Sequence, residues 1–315
     1  MLRLIIRKLV LMLVLLPLLN AVGFYYAVIH PRLFVSPTGV EVETSTSGYG
    51  SYLLGLLAGD LGRVGNQQVA SVIANPVKNS LILLVTALVV AVIFGLLLGL
   101  LSISPRTKRI APQALLLLAA GSSMPGFLAG GMILSFMVYQ TLYAGNPRTL
   151  LPLSGFGLDE HLILPVVVLA LQPTMYIAKV TAGLVENELQ QDYIRVARSK
   201  GLSWLQLLWL HALPNMLAPV LVTIGESMRL MVGALVIVEA LFIWPGIGRI
   251  FLFTIGLRLD ARPPGVYFGN PELLAAIVVI LGVWILLADL IASALSYWVD
   301  PRLGRASEQV DALLA

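Results

Sequence analysis

The sequence predicts an all-α polytopic membrane protein with six transmembrane helices, and three observations lead there. Of the 315 residues, 58% are hydrophobic and 11% charged, where soluble globular chains carry about 25% charged residues. Too few charges remain to cover a water-facing surface, and a mean hydropathy of +0.93 says the same. Six apolar runs each reach the roughly 20 residues that cross a bilayer core. Basic residues alternate between the connecting loops in the manner that sets membrane topology. The net charge of +4 is spread thinly, with no basic run longer than RTKR, which argues against a nucleic-acid partner. Without cysteine there is no disulfide, thiolate metal site or cysteine nucleophile. His30, His161 and His211 lie far apart and outside any HExxH pattern, so no metal site is expected.

The runs cover 4–28, 80–101, 112–142, 162–184, 215–243 and 273–299, and the chain reads as a single membrane domain over 1–315. The first opens on Arg3, Arg7 and Lys8 and exceeds the 7–15 residues of a signal-peptide core, so it reads as a retained helix. An external loop over 29–79 follows it. The third run is too long and is broken by GSSMPG (121–126). Pro112 suits a first turn, whereas Pro125 removes a donor and clashes with the preceding turn. Ser122, Ser123 and Pro125 therefore mark either a broken helix lining a solute path or a packing kink that the serines relieve.

Tyr25, Tyr26, Trp244, Tyr297 and Trp298 fall at predicted span ends, where amphipathic rings sit at the headgroups. One side of the membrane collects Arg3, Arg7, Lys8, Arg106, Lys108, Arg109, Arg195, Arg198, Lys200, Arg302 and Arg305. The other holds Arg32, Arg63, Lys78, Arg148, Arg249, Arg258 and Arg262, diluted by acidic residues. Both termini are thereby expected in the cytoplasm.

The segment 186–214 is the most informative. In DYIRVARSKG, Tyr193, Ile194 and Ala197 fall on one face of a short helix and Arg195, Arg198 and Ser199 on the other. Gly201 reads as a left-handed helix end and Ser203 as the cap of the next helix. This basic amphipathic knob either docks a soluble partner or lies in the headgroup layer, anchored by Trp204 and Trp209.

At these residues the chain resembles the permease subunits of ATP-binding-cassette importers. Arg195-Val196-Ala197 stands at the position of that family's EAA motif, Gly201 at its glycine and Leu213-Pro214 at its closing pair. Arg195 in place of Glu, and His211, are similar to the dipeptide/oligopeptide/nickel branch. So are GDLGR (59–63), SMPGFLAG (123–130), VEALFIWPGIGR (238–249) and DPRLG (300–304). VIHPRLFV (28–35) and the long outer segment around ARPPG (261–265) depart from the pattern.

The resemblance implies a type I importer permease fold in a prokaryotic inner membrane. It further implies a coupling helix carrying Asp192, Tyr193, Arg195, Ala197, Arg198, Lys200 and Gly201. The implied partners are two ATP-binding subunits, a second permease chain (a different one, or a second copy), an extracytoplasmic solute-binding protein and the lipid bilayer. No GxxxxGK[ST] occurs, so this chain is expected to hold no cofactor and to have no ATPase site, with ATP and Mg bound by the partner ATPases. The solute is a peptide, a nickel complex or another small molecule.

Charged residues inside spans are functional candidates. Glu226 and Arg229 can pair at i, i+3; with Glu239 and Asp289 they line a polar translocation path, or they neutralise one another and cap nearby backbone. The rival reading is a stand-alone secondary transporter that uses these carboxylates. An intramembrane protease has no histidine within reach of Ser122 or Ser123, and a passive scaffold leaves the broken span and buried charges unexplained.

Overall fold

A computed structural model describes residues 2–30, 32–36, 39–43, 48–143, 151–257 and 269–300. Arg148, Arg258, Arg262, Arg302 and Arg305, the ARPPG run and the DPRLG residues after Asp300 lie outside this set. Helix α1 (Leu2–Ile29) leads into an antiparallel hairpin of β1 (Arg32–Ser36) and β2 (Gly39–Glu43), then α2 (Tyr49–Leu57) and a two-residue ladder of β3 (Arg63–Val64) with β4 (Gln67–Gln68). Helix α3 (Val69–Leu101), the short α4 (Pro112–Ser123) and α5 (Gly126–Leu142) follow. After a 3₁₀ turn (Glu160–Leu162) come α6 (Ile163–Leu189), α7 (Asp192–Ser199), α8 (Trp204–Leu207), a π segment (Leu208–Ala212) and α9 (Leu213–Leu241). The described chain closes with α10 (Ile247–Thr254) and α11 (Pro271–Val299). Among the described residues five helices are long and apolar enough to span a bilayer, and a sixth span is counted where the bent pair α4–α5 crosses as one.

The segment 29–79 is not a plain loop. Helix α3 begins at Val69 rather than at 80, because Asn75, Lys78 and Asn79 interrupt the apolar run without interrupting the helix. Helix α2 rests on α1, where Tyr52 stacks on Phe24 at 5.2 Å and accepts a hydrogen bond from Asn20 Nδ2 at 3.1 Å; burial pushes the Tyr52 phenol up. The GDLGR turn is fastened to the start of α11. Glu272 accepts from the Arg63 amide at 2.5 Å, and Asn270 caps α11 at Leu273 N (2.8 Å) while donating to the Arg63 carbonyl (3.1 Å).

The core is α3 against α6 and α9. A Gly-x-x-x-Gly pair, Gly95 and Gly99, lets α3 approach α6 closely: a Cβ on Gly99 would lie 2.7 Å from Thr181 Cβ and 2.8 Å from the Ala178 carbonyl. Helix α1 packs on α11 through Lys8, whose ammonium meets Asp289 Oδ2 at 2.5 Å and Ser293 Oγ at 2.6 Å.

At the far end of α9 the carboxylate of Glu239, fully buried, takes amide hydrogens from Gly248 (2.7 Å) and Arg249 (3.2 Å) and the hydroxyl of Ser80. Ser80 Oγ in turn accepts from Ile247 N at 2.8 Å. The first three amides of α10 are thus satisfied by side chains of α9 and α3, as helix starts require. Trp244 completes the junction, donating to the Asn79 carbonyl at 3.2 Å. It is wholly buried, not an interfacial belt residue, because the turn after α9 folds it inward against Phe156.

Two outcomes are expected from scanning fluorimetry of the purified transporter. Gly99→Val overpacks the α3–α6 contact and lowers stability by about 1–3 kcal/mol. Glu239→Ala strands two buried amides and a hydroxyl at about 1–3 kcal/mol each, and Glu239→Gln, which keeps an acceptor, loses less.

Candidate functional site

Helix α7 forms where the sequence places it, but one of its predicted inward residues points elsewhere. Ile194 and Ala197 are buried in a second core with Leu189 and Leu207. Tyr193 is 40% exposed; its hydroxyl bonds Glu188 at the end of α6 and accepts from Asn215 Nδ2 (2.9 Å) at the start of α9. Asn215 also donates to Glu188 at 2.7 Å. Tyr193 therefore ties α7 to two long helices rather than filling a core. Asp192, Arg195, Arg198 and Lys200 all face outward, with Asp192 and Arg195 paired at 3.2 Å. Lys108 and Arg109, on the loop joining α3 to α4, line with Arg195 and Arg198 a basic cleft of about 340 Å³.

Gly201 turns the chain at φ +85°, a conformation that β-branched residues strongly resist. Ser203 then closes a capping box with Gln206, accepting from Gln206 N while its own amide donates to Gln206 Oε1 at 2.9 Å. The π segment follows immediately. Pro214 has no amide to bond back one turn, and the widened turn absorbs that defect. Trp204 is half-buried and Trp209 exposed.

The third span bends by 93° at Met124–Pro125. Ser122 and Ser123 hydroxyls return to the Ala119 carbonyl at 3.0 and 2.9 Å, and Gln172 Nε2 reaches the Ser122 carbonyl at 3.4 Å. Gly126 abuts α6, where a Cβ would lie 2.6 Å from the Val168 carbonyl. Of the backbone at the break, the Ser122 carbonyl is thus taken up by α6.

The four intramembrane charges separate into different environments. Glu239 is enclosed at the α9–α10 junction and lines no opening. Asp289 is joined to Lys8. Glu226 and Arg229 pair loosely, Nη2 to Oε1 at 3.8 Å, and both side chains are more than 40% exposed. Tyr176, at the midpoint of α6, donates to Glu226 Oε2 at 2.5 Å. Each charge left facing hydrocarbon near a helix centre costs about 2.5–3.5 kcal/mol on insertion scales. The half-exposed pair therefore marks the face of α6 and α9 that looks away from lipid.

Sequence reasoning passed over Tyr176, Lys8, Ser80, Glu188 and Asn215. Each is an ordinary polar residue until the fold supplies its partner, although the Gly95–Gly99 spacing was a readable signal.

The family described as binding-protein-dependent transport system inner membrane component matches residues 91–305, more than half of the chain. The glutathione transport system permease protein GsiC of Escherichia coli (strain K12) is 29% identical over 209 residues, 66% of this chain and 66% of GsiC. The dipeptide transport system permease protein DppB of Bacillus subtilis (strain 168) is 31% identical over 218 residues, 69% of this chain and 65% of DppB. A Brucella suis biovar 1 protein named as a peptide permease is 28% identical over 241 residues, 76% of this chain and 72% of that protein. Broken span, helix–glycine–helix corner and match agree: the chain belongs to the binding-protein-dependent transport system inner membrane components, multi-pass, pore-forming permease subunits of ATP-driven importers.

Proposed function

We propose that this chain is one half of a heterodimeric pore for short peptides, with both termini in the cytoplasm. Its α7 seats on one of two ATPase subunits, which hold the ATP and Mg; the chain itself supplies no nucleotide site, in keeping with the missing P-loop motif. A solute-binding protein delivers the peptide at the α10 end. The names of the relatives support peptides as the solute class, and the concentration of Arg and Lys at the α7 end supports the orientation.

The observation that carries the coupling role is the attachment of α7. Through Tyr193, Glu188 and Asn215 it is joined to the end of α6 and the start of α9 at once. A displacement of α7 is then delivered to both helices that bear Tyr176, Glu226 and Arg229. Asp192, Arg195, Arg198 and Lys200 present the outward charges an ATPase groove would read, and Ala197 with Ile194 packs the base. Ser122, Ser123 and Pro125 give the third span its bend beside the path.

Gly201→Val is expected to abolish peptide uptake while ATP hydrolysis continues and membrane insertion is normal. Space is not the obstacle, since a Cβ at Gly201 meets nothing within 4 Å; the left-handed backbone is. Gly201→Asn, which tolerates that conformation, should retain most uptake. Normal transport by a correctly inserted Val variant would remove the coupling role. Mild-detergent purification of the tagged chain should bring down P-loop ATPase and a second permease chain together; a single permease species in the eluate would replace the heterodimer with a homodimer.

A further inference from the structure

Two stripes of residues converge midway through the membrane. On α9 the open face runs through Val222, Glu226, Arg229, Gly233 and Ile237, and on α6 through Gln172, Tyr176, Lys179 and Gly183. The exposed positions in the middle of α1 and α3, Leu13, Val14 and Leu18 and Val85, Val89 and Ile93, are by contrast apolar, side chains that hydrocarbon accepts. The α6–α9 face places a carboxylate, a guanidinium and a phenol together near the middle of both helices.

The guanidinium of Arg229 is under-used. Its sole described contact is the 3.8 Å approach to Glu226, beyond hydrogen-bond range, so its five donors have no hydrogen-bond acceptor among the described residues. Glu226 is held from the other side by Tyr176 at 2.5 Å, which keeps its carboxylate in place if Arg229 turns away. A planar fork of free donors matches a carboxylate in bidentate geometry. Glu226, relieved of Arg229, then offers its Oε1 to an ammonium group.

We infer that Tyr176, Glu226 and Arg229 form a zwitterion-reading site in the translocation path, Arg229 taking the terminal carboxylate and Glu226 the terminal ammonium of a short peptide. The inference rests on the peptide reading above. In the absence of solute the loose Glu226–Arg229 pair neutralises the site, and the solute's two ends replace that pairing one for one. Tyr176 acts as the positioning residue. The competing occupant is an acidic group of the second permease chain.

Two measurements decide the matter. Uptake of radiolabelled trialanine by the complete transporter with its binding protein tests the solute class; no uptake by the wild type removes the peptide reading and this site's ligand together. Equilibrium binding of trialanine and of C-terminally amidated trialanine to the permease–ATPase complex, without the binding protein, tests the site. The wild type is expected to prefer the free acid by about tenfold or more, the scale of a charged hydrogen-bond pair. Arg229→Gln should erase that preference, binding acid and amide alike. Glu226→Gln should keep it and lose instead the preference for trialanine over its N-acetylated form. If uptake occurs but the wild type binds acid and amide equally, or Arg229→Gln retains the preference, the site is overturned while the peptide reading stands. Loss of the second permease chain from the purified Arg229→Gln complex would assign the guanidinium to the subunit interface and overturn it equally.

Discussion

In hydrocarbon a polar group has only the protein to answer it, and the layout of this chain follows from that constraint. Two of the irregularities in the described helices are met by side chains from another helix. The start of α10 is answered by Glu239 and Ser80, and the bend after Ser123 by Gln172. The gap left by Pro214 is absorbed by the π segment. A soluble protein would leave several of these groups to water. Here each becomes a cross-link, so the same residues that satisfy the backbone also fix the positions of the helices.

Much of this was legible in the sequence because the governing rules are short-range. Run length located the spans, Pro125 located the break, and Gly201 with Ser203 located the corner between α7 and α8. What stayed hidden needed partners distant in sequence. Lys8 and Asp289 are separated by 281 positions and Ser80 and Glu239 by 159; no pattern within either segment announces the match. Trp244 beside a proline has the composition of a membrane edge, and only the turn that places it over Asn79 makes it core. Tyr193 shares a helical face with Ile194 and Ala197 by periodicity, yet Glu188 and Asn215 draw its hydroxyl toward the helix ends.

The architecture separates two kinds of rigidity. At the α10 end, the carboxylate of Glu239 sits where Gly246 leaves room for it, and a Cβ on Gly246 would strike it while one on Gly248 would strike Val236. This junction holds α3, α9 and α10 as one block. At the α7 end, Ile194 and Ala197 pack into a second core, Tyr193, Glu188 and Asn215 tie α7 to α6 and α9, and the neighbouring turn is a π segment, a form frequent at functional sites.

The Lys8–Asp289 pair carries a consequence for how the protein is made. Helix α1 leaves the ribosome well before α11, and Asp289 lies roughly 15 Å inside the end of α11 at 1.5 Å per residue. Until α11 arrives, Lys8 has no carboxylate, and when it arrives Asp289 can enter the membrane at low cost only beside Lys8. Helix α11 is thus joined to a helix made 281 positions earlier. A chain halted before that step would lack the carboxylate that answers the Lys8 ammonium on α1.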